Sequence, residues 1–254
     1  MPVFLGLCSA SIPPFFFNLF RRDGARRSHQ HLNCFSFIIS FRFFFLAAGS
    51  FFRGDLPDGL SFGDVVAIDS ETMGLRPARD RLCVVQLSAG DGHAHLVQFA
   101  PGSPGDPVYN APNLKGLLTD PSVLKLFHFA RFDVAVIQAY LGVRTTPVYC
   151  TKIAAKLVRT FTDRHGLKDL CRELLGVEIS KQQQSSDWGA PELTAEQQAY
   201  AASDVLYLHR LKAKLDALLA REGRTDIAQA SFDFLPTRAQ LDLIGYADED
   251  IFSH

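Results

Sequence analysis

The run "DVVAID" at residues 64–69 is apolar and β-branched, and it leads directly to a second acid, Glu71, with no basic residue between positions 64 and 75. Such a run predicts a buried strand. Side chains two positions apart on a strand point to the same side, so Asp69 and Glu71 would present two carboxylates together. A buried carboxylate needs a hydrogen-bond donor, a cation or a metal ion. The run therefore indicates a core strand that ends in a charged site.

Short runs of strand-forming residues, separated by Gly, Pro and Asp turns, predict four strands. They lie at residues 64–69, 82–88, 94–99 and 124–129. The first three are expected to pair in succession as antiparallel neighbours. Before the fourth we expect a small helical turn, capped by Asp120 and with Pro121 in its first position.

Helical patterns follow the strands along the chain. They predict helices at residues 132–141, 151–160, 166–175 and 195–221. The last of these opens with a capping box formed by Thr194 and Gln197. Strands followed by helices favour an α/β fold with a mixed central sheet flanked by helices.

The first 52 residues differ in composition from the rest, since they hold 13 of the 22 Phe residues and a single acid, Asp23. We expect residues 1–52 to be a disordered or artefactual extension and residues 53–254 to form one domain. A targeting signal is the alternative, although Arg42 interrupts its apolar run. Without the extension, 21 basic and 26 acidic residues remain, a formal net charge of −5. This charge argues against binding many phosphates along a polymer.

The five cysteines are scattered, and no two form a Cys-x-x-Cys pair. This pattern favours reduced thiols over a zinc site or a disulfide framework, so we expect a cytoplasmic protein. No uninterrupted apolar run is long enough to span a membrane well, and we expect no membrane partner.

Two further acids occur on apolar helix faces. Asp133 precedes Val136, Ile137 and Tyr140 on one face of its helix, and Asp204 shares a face with apolar and aromatic residues of the last helix. Any one buried acid is readily explained as a cap or as half of a core ion pair. Four together favour an oxygen-rich site for a hard cation, Mg²⁺ or Mn²⁺.

Three stretches carry a family resemblance: "DSETMGL" at residues 69–75, "HFARFD" at 128–133 and "YAASD" at 200–204. They resemble the three motifs of the ribonuclease D-like 3′-5′ exonucleases, the DEDD superfamily with a ribonuclease H-like fold. The resemblance implies that two metal ions are held in each active site, by the carboxylates of Asp69, Glu71, Asp133 and Asp204.

The tyrosine of the third motif resembles that of the DEDDy branch of this family. In that branch Tyr200 would orient the attacking water or help to remove its proton. Two ions about 3.5–4 Å apart can hold the attacking and leaving oxygens and neutralise the developing charge.

The resemblance also implies substrate contacts. Thr72 and Met73 would hold the terminal ribose, and Leu75 would wedge against the terminal base. His128 and Lys181, in the loop "SKQQQSSDW", are further substrate-binding candidates. Phe129 is a departure, because many relatives have Asn at this position.

Longer stretches, among them "RDRLCVVQLS" and "TDRHGLKDLC", resemble the compact nanoRNase C-type branch, which degrades RNA dinucleotides. The branch implies short RNA as the substrate and a homo-oligomer, an octameric ring. Two alternatives remain open: a general 3′ trimmer of longer RNA or DNA, and a catalytically silent nucleic-acid-binding module.

Chains of this branch begin shortly before the stretch "GDLP" at residues 54–57, whereas Met occurs here only at positions 1 and 73. We expect Leu46 to be a non-ATG start. Residues 1–45 would then be absent from the native protein or unfolded.

Overall fold

The computed structural model describes residues 49–180 and 182–254. This part of the chain forms a six-stranded mixed sheet. Its strands are β1 (Gly49–Arg53), β2 (Val65–Thr72), β3 (Leu82–Ser88), β4 (Ala94–Gln98), β5 (Leu124–Phe127) and β6 (Val148–Cys150), and their spatial order is β1-β4-β3-β2-β5-β6. The predicted α/β fold with a mixed central sheet is confirmed.

The helices flank this sheet. They are α1 (Pro112–Thr119), α2 (Ala130–Leu141), α3 (Thr151–Val158), α4 (Leu167–Leu170), α5 (Ala195–Leu206), α6 (Leu208–Arg221) and α7 (Thr225–Leu241). A π-helical turn, Cys171–Leu175, continues α4, and a second, Asp242–Tyr246, follows α7. In the described part of the chain, none of the helices combines the length and apolar character needed to cross a membrane.

Strand β2 lies in the middle of the sheet, between an antiparallel and a parallel neighbour. It pairs antiparallel with β3 and parallel with β5, and β3 pairs antiparallel with β4. All seven residues of β3 are buried, as its apolar sequence requires of a strand covered on both faces. The three predicted antiparallel strands and the fourth strand are therefore confirmed, and the C-terminal end of β2 is half-buried at an edge of the sheet.

The helical turn predicted at Asp120 and Pro121 is confirmed as a single turn, in which the Val123 N–H donates to the Asp120 carbonyl at 3.3 Å. The Asp120 carboxylate caps this turn by accepting a hydrogen bond from the Ser122 backbone N–H at 2.8 Å. Helix α1, which precedes the turn, was not predicted, and it has Pro112 at its first position. The Asp55 carboxylate, which is far away in the sequence, caps the N-terminal N–H groups of α1. It accepts from the backbone N–H of Asn113 and of Leu114 at 2.9 Å each.

The single helix predicted over residues 195–221 is interrupted. Tyr207, at φ −103° and ψ −6°, ends α5 at Leu206 and precedes α6, which begins at Leu208. The capping box is confirmed, since the Thr194 hydroxyl accepts from the Gln197 N–H and the Gln197 side chain accepts from the Thr194 N–H.

The sheet also extends beyond the predicted domain boundary. Residues 49–52, assigned from composition to the extension, belong to β1, which pairs in parallel with β4. The expectation for residues 1–48 falls outside the described residues. Strand β6 and helix α7 were not predicted either, and α7 packs against α2 and β6.

Strand β1 makes a testable contribution to stability. The Arg53 guanidinium donates to the Pro191 carbonyl at 3.1 Å and to Gln98 Oε1 at 3.2 Å, and the Phe52 ring stacks on His95. A chain that begins at Asp55 loses these contacts and exposes the edge of β4. We expect it to melt several degrees below the full chain in a thermal scan, whereas a chain that begins at Leu46 keeps the Tm. Equal Tm values for all three chains would contradict this role of β1.

Candidate active site

Three carboxylates meet at the C-terminal end of β2. Asp69 and Glu71 project from this strand, just before an irregularity in its pairing with β3 at Glu71 and Thr72. Asp204 comes from α5, which packs across β2, β3 and β4. One carboxylate oxygen of each acid lies within 4.8 Å of the other two. The alternation of side chains on a strand thus brings the first two acids together, as predicted, and α5 adds the third.

Burial and mutual repulsion make these carboxyls hard to ionise. Burial raises the pKa of Asp69 to about 7. Burial also raises the pKa of Glu71, and the charges of Asp69, Asp204 and Asp133 raise it further, to about 10. A bound cation would remove this repulsion, because an opposite charge favours the ionised form of each acid. The oxygen-only donor set fits a hard divalent ion such as Mg²⁺ or Mn²⁺.

Asp133 stands apart from the three-carboxylate group. It is buried in the first turn of α2, where its Oδ1 accepts a hydrogen bond from the Ser70 hydroxyl at 2.6 Å. Burial and the charge of Asp69 raise its pKa well above the ordinary value. Asp133 is therefore close enough to interact electrostatically with Asp69, although the structure does not place it among the three clustered acids.

Two polar residues that position the acids were missed from the sequence. Ser70 lies between Asp69 and Glu71 and holds Asp133 from the other side of the strand. Gln86 lies directly opposite Asp69 in the β2–β3 pairing, is fully buried and donates from Nε2 to Asp69 Oδ2 at 3.5 Å. The available signal for Gln86 was one amide in the otherwise apolar run "LCVVQL".

Tyr200 lies one helical turn before Asp204 on α5, and the two side chains are hydrogen-bonded. Burial and the charges of Asp204, Glu71 and Asp69 raise the pKa of the phenol. The ring packs against the buried Trp188, with centroids 6.0 Å apart.

The residues predicted to contact the substrate differ in their exposure and in their hydrogen bonds. Leu75 and Met73 follow β2 and are 87% and 51% exposed. The Thr72 hydroxyl donates to the Gly74 carbonyl, which shapes the turn between them. His128 follows β5 with its Nδ1 2.8 Å from the Thr151 hydroxyl. Lys181 lies outside the described residues.

The loop after residue 181 contacts this turn. The Arg81 guanidinium donates to the Gly189 carbonyl at 3.1 Å. A Cβ at position 189 would collide with the sulfur of Met73, so a larger residue here would require the Met73 side chain to move. The loop therefore packs against Met73 at the edge of the site and places Trp188 against Tyr200.

Known proteins share this fold and much of this sequence. The model of the 3′-5′ exonuclease family matches residues 56–220. Ribonuclease D of Acidiphilium cryptum is 36% identical over 171 residues, which cover 67% of this chain and 42% of that protein. The chain thus spans about two fifths of the length of the curated relatives it matches.

Solved structures of a Brucella melitensis protein, NrnC, match over most of their length. NrnC with bound Mg²⁺ is 56% identical, with a TM-score of 0.76, and the match covers 82% of this chain and 99% of that one. NrnC bound to pGG is 57% identical, with a TM-score of 0.77, over 82% of this chain and 98% of that one.

The raised pKa values predict how a substitution changes stability. The pKa of Glu71 is higher in the folded protein than in the unfolded chain, so this carboxyl lowers stability above about pH 4.5, increasingly up to about pH 10. In EDTA we expect Glu71→Gln to raise the Tm at about pH 8 and to change it little at about pH 4. Each ~1 kcal/mol gained would add about 2–4 °C.

Asp80 supplies the control with the opposite sign. Hydrogen bonds from Arg79 and from the Arg76 backbone lower its pKa, so this acid stabilises the protein above its unfolded pKa and loses that effect in acid. Asp80→Asn should therefore lower the Tm at neutral pH. If Glu71→Gln lowered the Tm as Asp80→Asn does, the carboxylate group would not be a site of repulsion.

Proposed function

The chain belongs to the 3′-5′ exonuclease family, and on that premise we propose that it is a metal-dependent 3′-5′ exoribonuclease. Its substrates are short oligoribonucleotides, above all 5′-phosphorylated dinucleotides, which it hydrolyses to nucleoside 5′-monophosphates. The observation that carries this proposal is the group of three carboxylates at the end of β2, whose oxygens lie within 4.8 Å of one another. The similarity to NrnC, solved with Mg²⁺ and with pGG, supports it.

The cation site is assigned to particular acids. Asp69, Glu71 and Asp204 would hold one ion, and Asp133, through its closeness to Asp69, would contribute to a second. When bound, divalent ions supply a polarised water and neutralise charge that develops on the phosphate. Two Mg²⁺ or Mn²⁺ ions per active site are part of the proposal.

The chain's own groups position the substrate and the water. Tyr200 presents its hydroxyl beside Asp204 and is suited to orient the attacking water or to help remove its proton. Leu75, exposed at the edge of the site, is suited to pack against the terminal base, and Thr72 and Met73 lie between it and the acids. His128 and Lys181 remain proposed substrate contacts.

The charge of the folded region favours a short substrate. Residues 53–254 carry a formal net charge of −5, and four of these negative charges are the proposed ligands. Little positive field is then left to hold a long phosphate backbone. A dinucleotide can instead be recognised locally, by its one scissile phosphate, its terminal base and its 5′ phosphate.

We further propose that the protein is cytoplasmic and acts as a homo-oligomer, an octameric ring. Large apolar side chains that remain exposed on α7 and after it support association with further copies. They include Ile227, Phe234, Ile244 and Phe252.

A general 3′ trimmer of longer RNA is the second candidate. It is favoured by the similarity to ribonuclease D, at 36% identity to the Acidiphilium cryptum protein. Substrate length separates the two candidates, whereas any metal-dependent release of mononucleotides would exclude a silent binding module.

Substitution of the acids tests the metal site. We expect Asp69→Ala, Asp133→Asn and Asp204→Asn each to abolish turnover with Mn²⁺ while the protein stays folded, because each removes charge that holds the cation. Tyr200→Phe should be milder, since it keeps the ring and loses the hydroxyl. Asp64→Asn is the matched control, because Asp64 is an exposed acid just before the opposite end of β2. Wild-type turnover by any of the three acid variants would disprove its assignment.

Substrate length tests the specificity. We expect a kcat/KM for 5′-phosphorylated diribonucleotides clearly above that for RNA of seven or ten nucleotides, with weak dependence on salt because few phosphates are contacted. A time course with labelled RNAs at equal molarity, resolved by length, measures this. Comparable rates on the dinucleotide and the ten-nucleotide RNA would identify a general trimmer.

A further inference from the structure

Phe129 adopts an unusual backbone conformation. In the part of the chain that the structure describes, it is the only non-glycine residue with positive φ, at 67°. A bulky residue in this left-handed region is strained, at a cost on the order of 1–3 kcal/mol, and such strain concentrates at functional sites. The ring is nevertheless 45% exposed. Core packing therefore does not account for an aromatic residue at a position where Asn or Gly would fit the backbone better.

The fold places Phe129 beside the candidate active site. In the parallel pairing of β2 with β5, Ala67 is opposite Leu126, so the chain reaches Phe129 alongside the acidic end of β2. One helical turn later on α2 comes Asp133, which accepts the hydrogen bond from Ser70. Ligands of α/β proteins commonly bind outside the carboxyl ends of such parallel strands.

A lysine from helix α3 contacts the ring. Lys152 lies in the first turn of α3, directly after β6, and its Nζ lies over the Phe129 ring, 4.1 Å from the centroid. Its neighbour Thr151 contacts His128 and donates to the Phe127 carbonyl at 3.2 Å. The ends of β5 and β6 thus fix an exposed aromatic ring and a cation at the same edge of the sheet as the exposed Leu75. An aromatic face beside a cation is the arrangement that binds single-stranded nucleotides.

We propose that Phe129 is a stacking platform for the nucleobase on the 5′ side of the scissile phosphate, while Leu75 contacts the terminal base. This inference rests on the proposed function. It names the residue through which that site would recognise a base of its substrate in addition to the sugar-phosphate backbone. Stacking tolerates every base, since each has a π face, so Phe129 would add affinity without strong sequence preference.

The test pairs a protein variant with a substrate variant. One substrate is 5′-phosphorylated diadenylate, and the other is the same dinucleotide without its 5′ base. We expect Phe129→Ala to raise KM for the intact substrate about tenfold, equivalent to ~1.4 kcal/mol, with a much smaller effect on kcat. For the substrate that lacks the 5′ base, KM should hardly change. Phe129→Tyr and Phe129→Trp should keep the wild-type KM.

Two variants separate binding from structure. Phe161 is the matched control, because it is 81% exposed and lies under the Arg159 guanidinium at 5.8 Å, and Phe161→Ala should change neither constant. Phe129→Asn removes the ring but suits the left-handed backbone. It should raise KM as Phe129→Ala does while retaining more of the wild-type Tm.

The outcomes are distinguishable from failure of the proposed function. An equal effect of Phe129→Ala on both substrates, or no effect, would overturn the stacking role while leaving the exonuclease assignment intact. A changed oligomeric state of Phe129→Ala in size-exclusion chromatography would instead make the ring a contact between copies.

If the wild type hydrolysed neither substrate, binding would still test the inference. The probe is a dinucleotide with 2-aminopurine as its 5′ base, titrated in the presence of Mg²⁺. Quenching by the wild type that Phe129→Ala loses supports stacking, and equal quenching by both proteins rejects it.

Discussion

Electrostatic repulsion among three carboxylates is the constraint on which the arrangement of this protein depends. Asp69, Glu71 and Asp204 hold their oxygens within 4.8 Å of one another, and burial raises the pKa of the first two. In water such groups would separate. They stay together because β2, in the middle of the sheet, and α5, packed across three strands, fix the backbones that carry them. The stability of the core thus maintains an unfavourable local charge arrangement that a divalent cation would relieve.

The surrounding polar residues orient the acids rather than neutralise them. The Ser70 hydroxyl binds Asp133, the Gln86 amide reaches Asp69, and the Tyr200 hydroxyl contacts Asp204. Each is a neutral donor, so each fixes the direction of a carboxylate without cancelling its charge. Hydrogen bonds to the ligands of a metal commonly change the affinity of the site for that metal. In our proposal, Phe129 orients the substrate as these donors orient the acids. Its backbone is strained, and its aromatic ring is exposed beside the acids.

Local patterns predicted the elements whose determinants are local. The alternation in β2, the capping box of Thr194 and the three acidic motifs depend on residues close together in sequence. The elements that were not predicted depend on residues far apart in the sequence. Helix α1 is capped by Asp55, almost sixty residues earlier. Strand β1 is too short for its own sequence to indicate a strand, and its pairing with β4 holds it in the sheet. Asp133 is bound by Ser70 across the strand, a contact that no spacing along one helix reveals.

Anomalous scattering from crystals grown with Mn²⁺ locates a bound ion without relying on activity. We expect a strong anomalous peak in contact with the carboxylates of Asp69, Glu71 and Asp204, which disappears in Asp204→Asn crystals grown in the same way. No peak at these acids at saturating Mn²⁺, or a peak only elsewhere on the protein, would contradict this expectation.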